Sequence, residues 1–283
     1  MCAARRSNRS RMLNASDAFA GDESVYALWD ALSDFDVADA NQALDFLFRR
    51  LCVWLKAENA FWIGAVRIMR GASARRDPMS GWRAGALQVL DPAFSAERVR
   101  KRGMRALRSA TTTDPGDTSR ALAAQSGQFR TYTLMSGELV DLSAFQRTEH
   151  YDVNYRQRGL SDRLWVVFPV NADAEAYYCF DKYGKRRRFR GQDVTLAAHA
   201  LRGIKWFHRQ QLLMHGLGVT ESPLAPAERR ILRWLMTDLD ESGIAKRMGL
   251  TPGSVHQYIT SLYRKFGVRS RSALISLWLG RGT

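Results

Sequence analysis

The sequence predicts two folded units. Residues 21–214 form an α+β domain, an antiparallel sheet flanked by helices, and residues 224–283 form an all-α domain of four helices. Three observations carry this reading. Arg163–Val170 and Ala176–Tyr183 are rich in aromatic and β-branched residues and are joined by an Asn-Ala-Asp-Ala turn, as in a hairpin. Amphipathic stretches with apolar residues three and four apart stand before and after that hairpin. Beyond Pro223, proline, glycine and capping residues recur at short intervals and divide the chain into helical pieces.

In chain order, residues 1–20 are basic and lack an apolar run, and read as a disordered basic tail rather than a secretory signal. Val25–Phe35 reads as a short helix. Asp39 then caps a stronger one, with Ala43, Leu44, Leu47, Phe48, Leu51 and Leu55 on a single stripe. Asn59–Met69 and Trp82–Leu90 read as strands either side of a polar loop. Ser95–Leu107 reads as a basic amphipathic helix, and Ser109–Ser119 is rich in turn residues. Leu134–Leu142 is ambiguous, with part of it a strand candidate, and Phe145–Gln157 is helical with Tyr151 and Tyr155 one turn apart. Arg190–Met214 reads as one long helix with Val194, Ala197, Leu201, Ile204 and His208 on one side. Residues 215–223 form a linker.

The last sixty residues carry the most specific pattern. Pro226 suits a first helical turn, and Ile231, Leu232, Leu235 and Met236 recur at helical spacing. Asp240 is an N-cap candidate and Gly249 a helix end. Thr251-Pro252 opens a helix whose buried stripe is Val255, Ile259, Leu262, Tyr263 and Phe266, closed by Gly267. Two short helices joined by a glycine turn, with small Ala245 near the crossing, describe a helix-turn-helix.

This segment resembles a LuxR-type (GerE-like) DNA-binding domain. The matching residues include Leu224, Glu228, Ile231, Leu232, Ile244, Ala245, Leu250, Thr251, Ser254, Val255, Ile259, Leu262, Lys265, Val268, Ser270 and Arg271. It departs from that pattern at Ala225, Gly243, Gly253 and Tyr258. The resemblance implies a transcription regulator that binds double-stranded DNA as a homodimer, with RNA polymerase and a small-molecule effector as further partners; the lack of a secretory signal or membrane-length apolar run leads to an expected cytoplasmic location. A helix in the major groove offers its early residues to base edges. His256, Gln257, Thr260 and Ser261 are therefore the expected base contacts. Ser254, Arg264, Lys265, Arg269 and Arg271 are the expected phosphate contacts. Leu274, Ile275 and Trp278 on the last helix either form a dimer contact or pack on the domain's own core.

Residues 21–214 resemble GAF/PAS-like sensory domains, most closely from Tyr151 to Met214. Trp62, Trp82 and Tyr151 are the first candidates for a ligand pocket, within a wider set including Phe61, Tyr155 and Trp165. Tyr151-Asp152-Val153 lacks the proline of acyl-homoserine-lactone sensors. An alternative is that this domain is a protein-interaction or dimerisation module without a small ligand.

Charge agrees with a polyanionic partner. The chain carries 43 lysines and arginines against 28 acids, a net +15. Residues 217–283 hold ten of the bases and five of the acids, net +5, so most of the excess lies upstream. Arg100-Lys101-Arg102 and Lys185–Arg188 read either as solvated faces or as further contacts. No apolar run reaches the ~18 residues of a membrane span. Cys2, Cys52 and Cys179 are too few and scattered for a disulfide framework. The five histidines show no metal spacing. Neither a phosphate-binding glycine loop nor a nucleophile elbow is present, so no cofactor, metal or catalytic residue is assigned.

Overall fold

A computed structural model describes residues 21–91, 117–217 and 224–279. The basic tail, the helix expected over Ser95–Leu107 with Arg100-Lys101-Arg102, and most of the turn-rich stretch and linker lie outside the described residues.

The first unit opens with α1 (Asp22–Ser33) and α2 (Ala40–Leu55), followed by β1 (Asn59–Arg67), α3 (Gly71–Arg76) and β2 (Trp82–Val89). Then come α4 (Asp117–Ala124), β3 (Arg130–Thr133), α5 (Leu142–Phe145) and α6 (Glu149–Tyr151), which runs on as a π-helical turn over Asp152–Arg156. β4 (Leu160–Asn171), β5 (Ala174–Tyr183), α7 (Gly191–Arg202) and α8 (Lys205–Met214) complete it. The five strands form one antiparallel sheet in the order β2-β1-β5-β4-β3.

Strand alternation divides the unit into two cores. Ala60, Trp62, Leu164, Val166, Ala176, Tyr178 and Phe180 point to the back, where α1, α2, α7 and α8 cover them. Trp165, Val167, Tyr177 and Cys179 point to the front, towards α4, α5 and α6. Register aligns the front residues, since Cys179 lies opposite Phe61 on one side and Trp165 on the other.

Several elements differ from expectation. A short helix, α3, occupies part of the polar loop, α4 begins inside the stretch expected to be turn-rich, and β3 falls where no element is expected. The side chain of Asp39 does not cap α2; its Oδ1 accepts from Gln42 Nε2 at 2.7 Å. The long final helix breaks at Gly203-Ile204, where Ile204 leaves the helical region with φ -108° and ψ 45°; the Trp29 indole lies against Gly203, where a Cβ would stand 2.3 Å from the ring. Carbonyls freed at the break are taken up by side chains. Trp29 Nε1 donates to Ala200 O at 2.8 Å, and His208 Nε2 lies 2.7 Å from Leu201 O.

The second unit carries α9 (Pro226–Leu235), α10 (Glu241–Met248), α11 (Pro252–Phe266) and α12 (Arg271–Trp278). Its caps agree with the sequence. Asp240 accepts from Gly243 N at 2.7 Å and Thr251 from Ser254 N at 3.1 Å, while Gly249 and Gly267 end their helices in the left-handed region. Ala225 has no side-chain acceptor, yet the return half of a capping box survives: Glu228 Oε2 accepts from Ala225 N at 2.8 Å. Leu274 and Trp278 are buried in this unit's core, which explains α12 by self-packing. That core also takes in Ala40, Leu213 and Met214 of the first unit, so the two units share a seam.

Two histidines are buried near the seam. Burial pushes His208 down to about 4, against the pull of its bond to Leu201. Burial and the charges of Arg229 and Arg233 push His215 down to about 3. Folded values below the unfolded value of about 6.5 mean that the unfolded chain takes up protons first as pH falls. Stability is full above about pH 6.5 and falls as pH drops towards 4, by up to about 1.4 kcal/mol per pH unit for each histidine. Urea unfolding at pH 7.5 and 5 is expected to show this loss. His215→Phe should shrink it, because the ring nitrogens of His215 make no hydrogen bond that phenylalanine would forfeit. An undiminished loss in that variant would contradict the assignment.

Candidate functional site

Two features could carry function: the polar face of α11 and a cavity at the front of the sheet.

On α11, Val255, Ile259, Leu262 and Phe266 are buried, which turns the opposite side outwards. Gly253, His256, Gln257, Thr260 and Arg264 are exposed there, at spacings of three and four that align them on one stripe. His256 is braced from α10, with Nδ1 3.2 Å from the Glu241 carboxylate. Ser254 is partly buried, its hydroxyl 2.9 Å from that of Thr251, and Arg269 is exposed beyond the helix end.

Three further expected DNA contacts, Ser261, Lys265 and Arg271, are held by intrachain bonds. Glu228 is 6% exposed and lies beneath the C-terminal half of α11. It accepts from Lys265 Nζ at 2.7 Å and lies 3.4 Å from Ser261 Oγ. Burial alone would raise its carboxyl, but the bonds from Lys265 and Ala225 reverse this and hold it low. The Arg271 guanidinium donates to Leu235 O and Leu239 O, each at 2.7 Å, and also to Thr237 O. These carbonyls lie at the end of α9 and in the turn before α10, so Arg271 ties α12 to that corner. Sequence spacing gives no sign of these partners, because both cations lie more than thirty residues from the groups they bind.

A partly open cavity of about 290 Å³ lies between the sheet front and α4 and α6. Its floor is Phe61, Ile63 and Ala65 of β1, Trp82, Ala84, Leu87 and Val89 of β2, Trp165 of β4, and Tyr177 and Cys179 of β5. Thr118 and Leu122 of α4 and Tyr155 of the π turn line the other side. Arg163 and Asp181 form a buried ion pair in this wall, which also carries Asn59, Arg83, His150, Asn154 and Arg158. Arg163 donates to Asp181 from Nε at 2.5 Å and from Nη2 at 2.8 Å. The guanidinium lies 4.7 Å from the Phe61 ring centre, 5.2 Å from that of Tyr155 and 5.8 Å from that of Trp165.

The structure separates the three pocket candidates. Trp82 lines the cavity, with the Arg67 guanidinium 4.9 Å from its ring centre. Tyr151 lies one layer back, stacked on Tyr155 at 5.5 Å and edge-on to Phe145. Trp62 is on the opposite face of the sheet, against His215 at 5.4 Å, because its position in β1 alternates with those of Phe61 and Ile63. The ion pair escaped notice in the sequence, yet a signal exists. Arg163 and Asp181 are charges inside apolar strands and share the parity of Trp165 and Tyr177. Cys52 and Cys179 are buried thiols, and burial pushes Cys52 up to about 12.

Residues 222–278 match the family model described as bacterial regulatory proteins, luxR family. The C-terminal unit is thus a LuxR-type helix-turn-helix. The "Probable HTH-type transcriptional regulator GfsR" of Streptomyces halstedii is 42% identical over 57 residues, 20% of this chain. The chain spans about a quarter of that protein's length, 24%. Among solved structures, SdiA in complex with octanoyl-rac-glycerol aligns over 92% of this chain and 94% of its own, with TM-score 0.44 and 11% identity. The VqsR LBD domain from Pseudomonas aeruginosa aligns over 68% and 95%, with TM-score 0.39 and 14% identity. Among the described residues, no helix is long and apolar enough to cross a membrane.

Proposed function

We propose that the chain is a DNA-binding transcription regulator whose first unit is a GAF/PAS-like sensory domain. The observation that carries this reading is the exposed stripe Gly253, His256, Gln257, Thr260 and Arg264 on α11, in the segment that matches the luxR family. His256, Gln257 and Thr260 read base edges, while Ser254, Arg264 and Arg269 meet phosphates. Lys265 and Ser261 act at the edge of the interface through their hub at Glu228. Two copies bind a two-fold site in the cytoplasm, because one short helix reads few base pairs and a second half-site multiplies specificity. RNA polymerase is the onward partner.

The front cavity supports sensing of a small molecule over a purely protein-docking role for the first unit, because a partly open, mainly apolar space with several polar side chains in its lining suits a small ligand. Native mass spectrometry of the purified protein tests this: a retained small molecule agrees with sensing, and a bare mass after expression in several media does not. For the DNA face, Gln257→Ala is expected to weaken a selected site by about 1–3 kcal/mol and leave random duplex unchanged. Equal losses on both in a fluorescence-anisotropy titration would remove Gln257 from base reading.

A further inference from the structure

The back of the sheet has a notch cut by two glycines. At Gly64 on β1 a Cβ would stand 2.5 Å from Leu217 Cδ1, and at Gly85 on β2 one would stand 2.3 Å from Leu217 Cδ2. Neither glycine has a left-handed backbone, so chain conformation does not require glycine at either place. At Gly85 only Leu217 requires it, whereas at Gly64 a Cβ would also stand 2.7 Å from the Trp62 ring and 3.0 Å from Leu212. Pairing slips here, with Gly64 opposite Ala86 and Ala65 opposite Ala84, so Gly85 has no partner in this register and widens the notch.

Leu217 is delivered by the end of α8. Gly216 turns left-handed, its N–H donates to Leu213 O at 2.9 Å, and Leu217 N donates to Leu212 O at 2.9 Å. This is a Schellman ending, whose following apolar residue is held in a fixed direction. The same turn holds the reader, since His215 O accepts from Leu224 N at 3.0 Å, and Leu224 is part of the reader's core. On the front of the same two strands, Ile63, Ala65, Ala84 and Leu87 line the cavity.

We propose that Leu217 is an interdomain latch: seated between Gly64 and Gly85 it reinforces the seam at Ala40, Leu213 and Met214 and fixes the reader's first turn to the sheet, and its release loosens the reader for DNA. This rests on the reading of the chain as a signal-responsive regulator. The latched pose is set by the sheet rather than by the spacing of DNA half-sites, so it lowers the binding-competent fraction and with it the apparent affinity.

Hydrogen exchange of the full chain without DNA tests the seat. Gly85→Ala forces Leu217 out, and Leu217→Ala empties the notch. Each should speed exchange at the Leu217 and Leu224 amides by at least about tenfold, with Val166 and Tyr178 in the sheet unchanged. Gly85→Ala added to Leu217→Ala should bring no further change, because the clash has gone. Unchanged exchange at Leu224, or additive effects, would overturn the seat. Should Gly85→Ala also speed Val166 and Tyr178, Leu217→Ala decides, since it adds no bulk. In a DNA titration Leu217→Ala is expected to bind at least about threefold more tightly than wild type. Equal or weaker binding would overturn the release step. Absence of DNA binding by the wild type would instead defeat the regulator reading, and the exchange result stands apart from it.

Discussion

Asp181→Ala is expected to destabilise the first unit by about 3–5 kcal/mol, the usual cost of leaving one partner of a buried ion pair alone. The carboxylate is 1% exposed and takes two of the guanidinium nitrogens of Arg163, whose side chain is itself 11% exposed. Without Asp181 the positive charge faces the Phe61, Tyr155 and Trp165 rings, which offset only a part of its lost hydration. Asn59, the other neighbour of Asp181 across the sheet, brings no charge. The double variant Arg163→Met with Asp181→Leu should recover most of the loss, since apolar replacement of a whole buried pair is often neutral. Urea unfolding followed by tryptophan fluorescence reads both. A shift below about 1 kcal/mol in Asp181→Ala would mean that the pair is hydrated in solution rather than buried.

Arg271→Ala is expected to cost about 3 kcal/mol of stability and to abolish DNA binding through the fold rather than through a phosphate. Its guanidinium satisfies carbonyls of Leu235, Thr237 and Leu239, and the planar fork of arginine suits three acceptors around one corner. Arg271→Lys should recover little, because an ammonium on a flexible stem does not reproduce that fork. A phosphate contact predicts the reverse pattern: an unchanged melting curve, weaker binding to all duplexes, and a salt slope shallower by about 0.9. Thermal melting and a salt series on one variant therefore decide which role Arg271 plays.

How much of this was legible in the sequence differs between the two units. The reader's boundaries are written in local chemistry: Asp240, Gly249, Thr251, Pro252 and Gly267 act within a few residues of where they stand, and each takes the expected conformation. The buried stripe of α11 is local as well. The roles of Lys265 and Arg271 were not legible, because a cation's nearest acceptor is set by tertiary packing across 30 residues or more. In the first unit, β4 and β5 were plain from their aromatic and β-branched runs. The break at Gly203-Ile204 was not, and neither was the packing of Trp29, far away in the chain, against Gly203. Trp62 shows the same limit in finer form. Its residue type suited a pocket wall, but the face it occupies depends on a parity that is fixed only once β1 pairs with β5.

The central claim is that the outward stripe of α11 enters a DNA groove. The most direct measurement is a fluorescence-anisotropy titration of wild type and Gln257→Ala against a selected two-fold site and random duplex, across a potassium chloride series. The account predicts salt-dependent binding to both duplexes by wild type, a preference for the selected site, and loss of that preference alone in the variant. Wild type that fails to bind either duplex at low salt, or a variant that keeps the full preference, would contradict it.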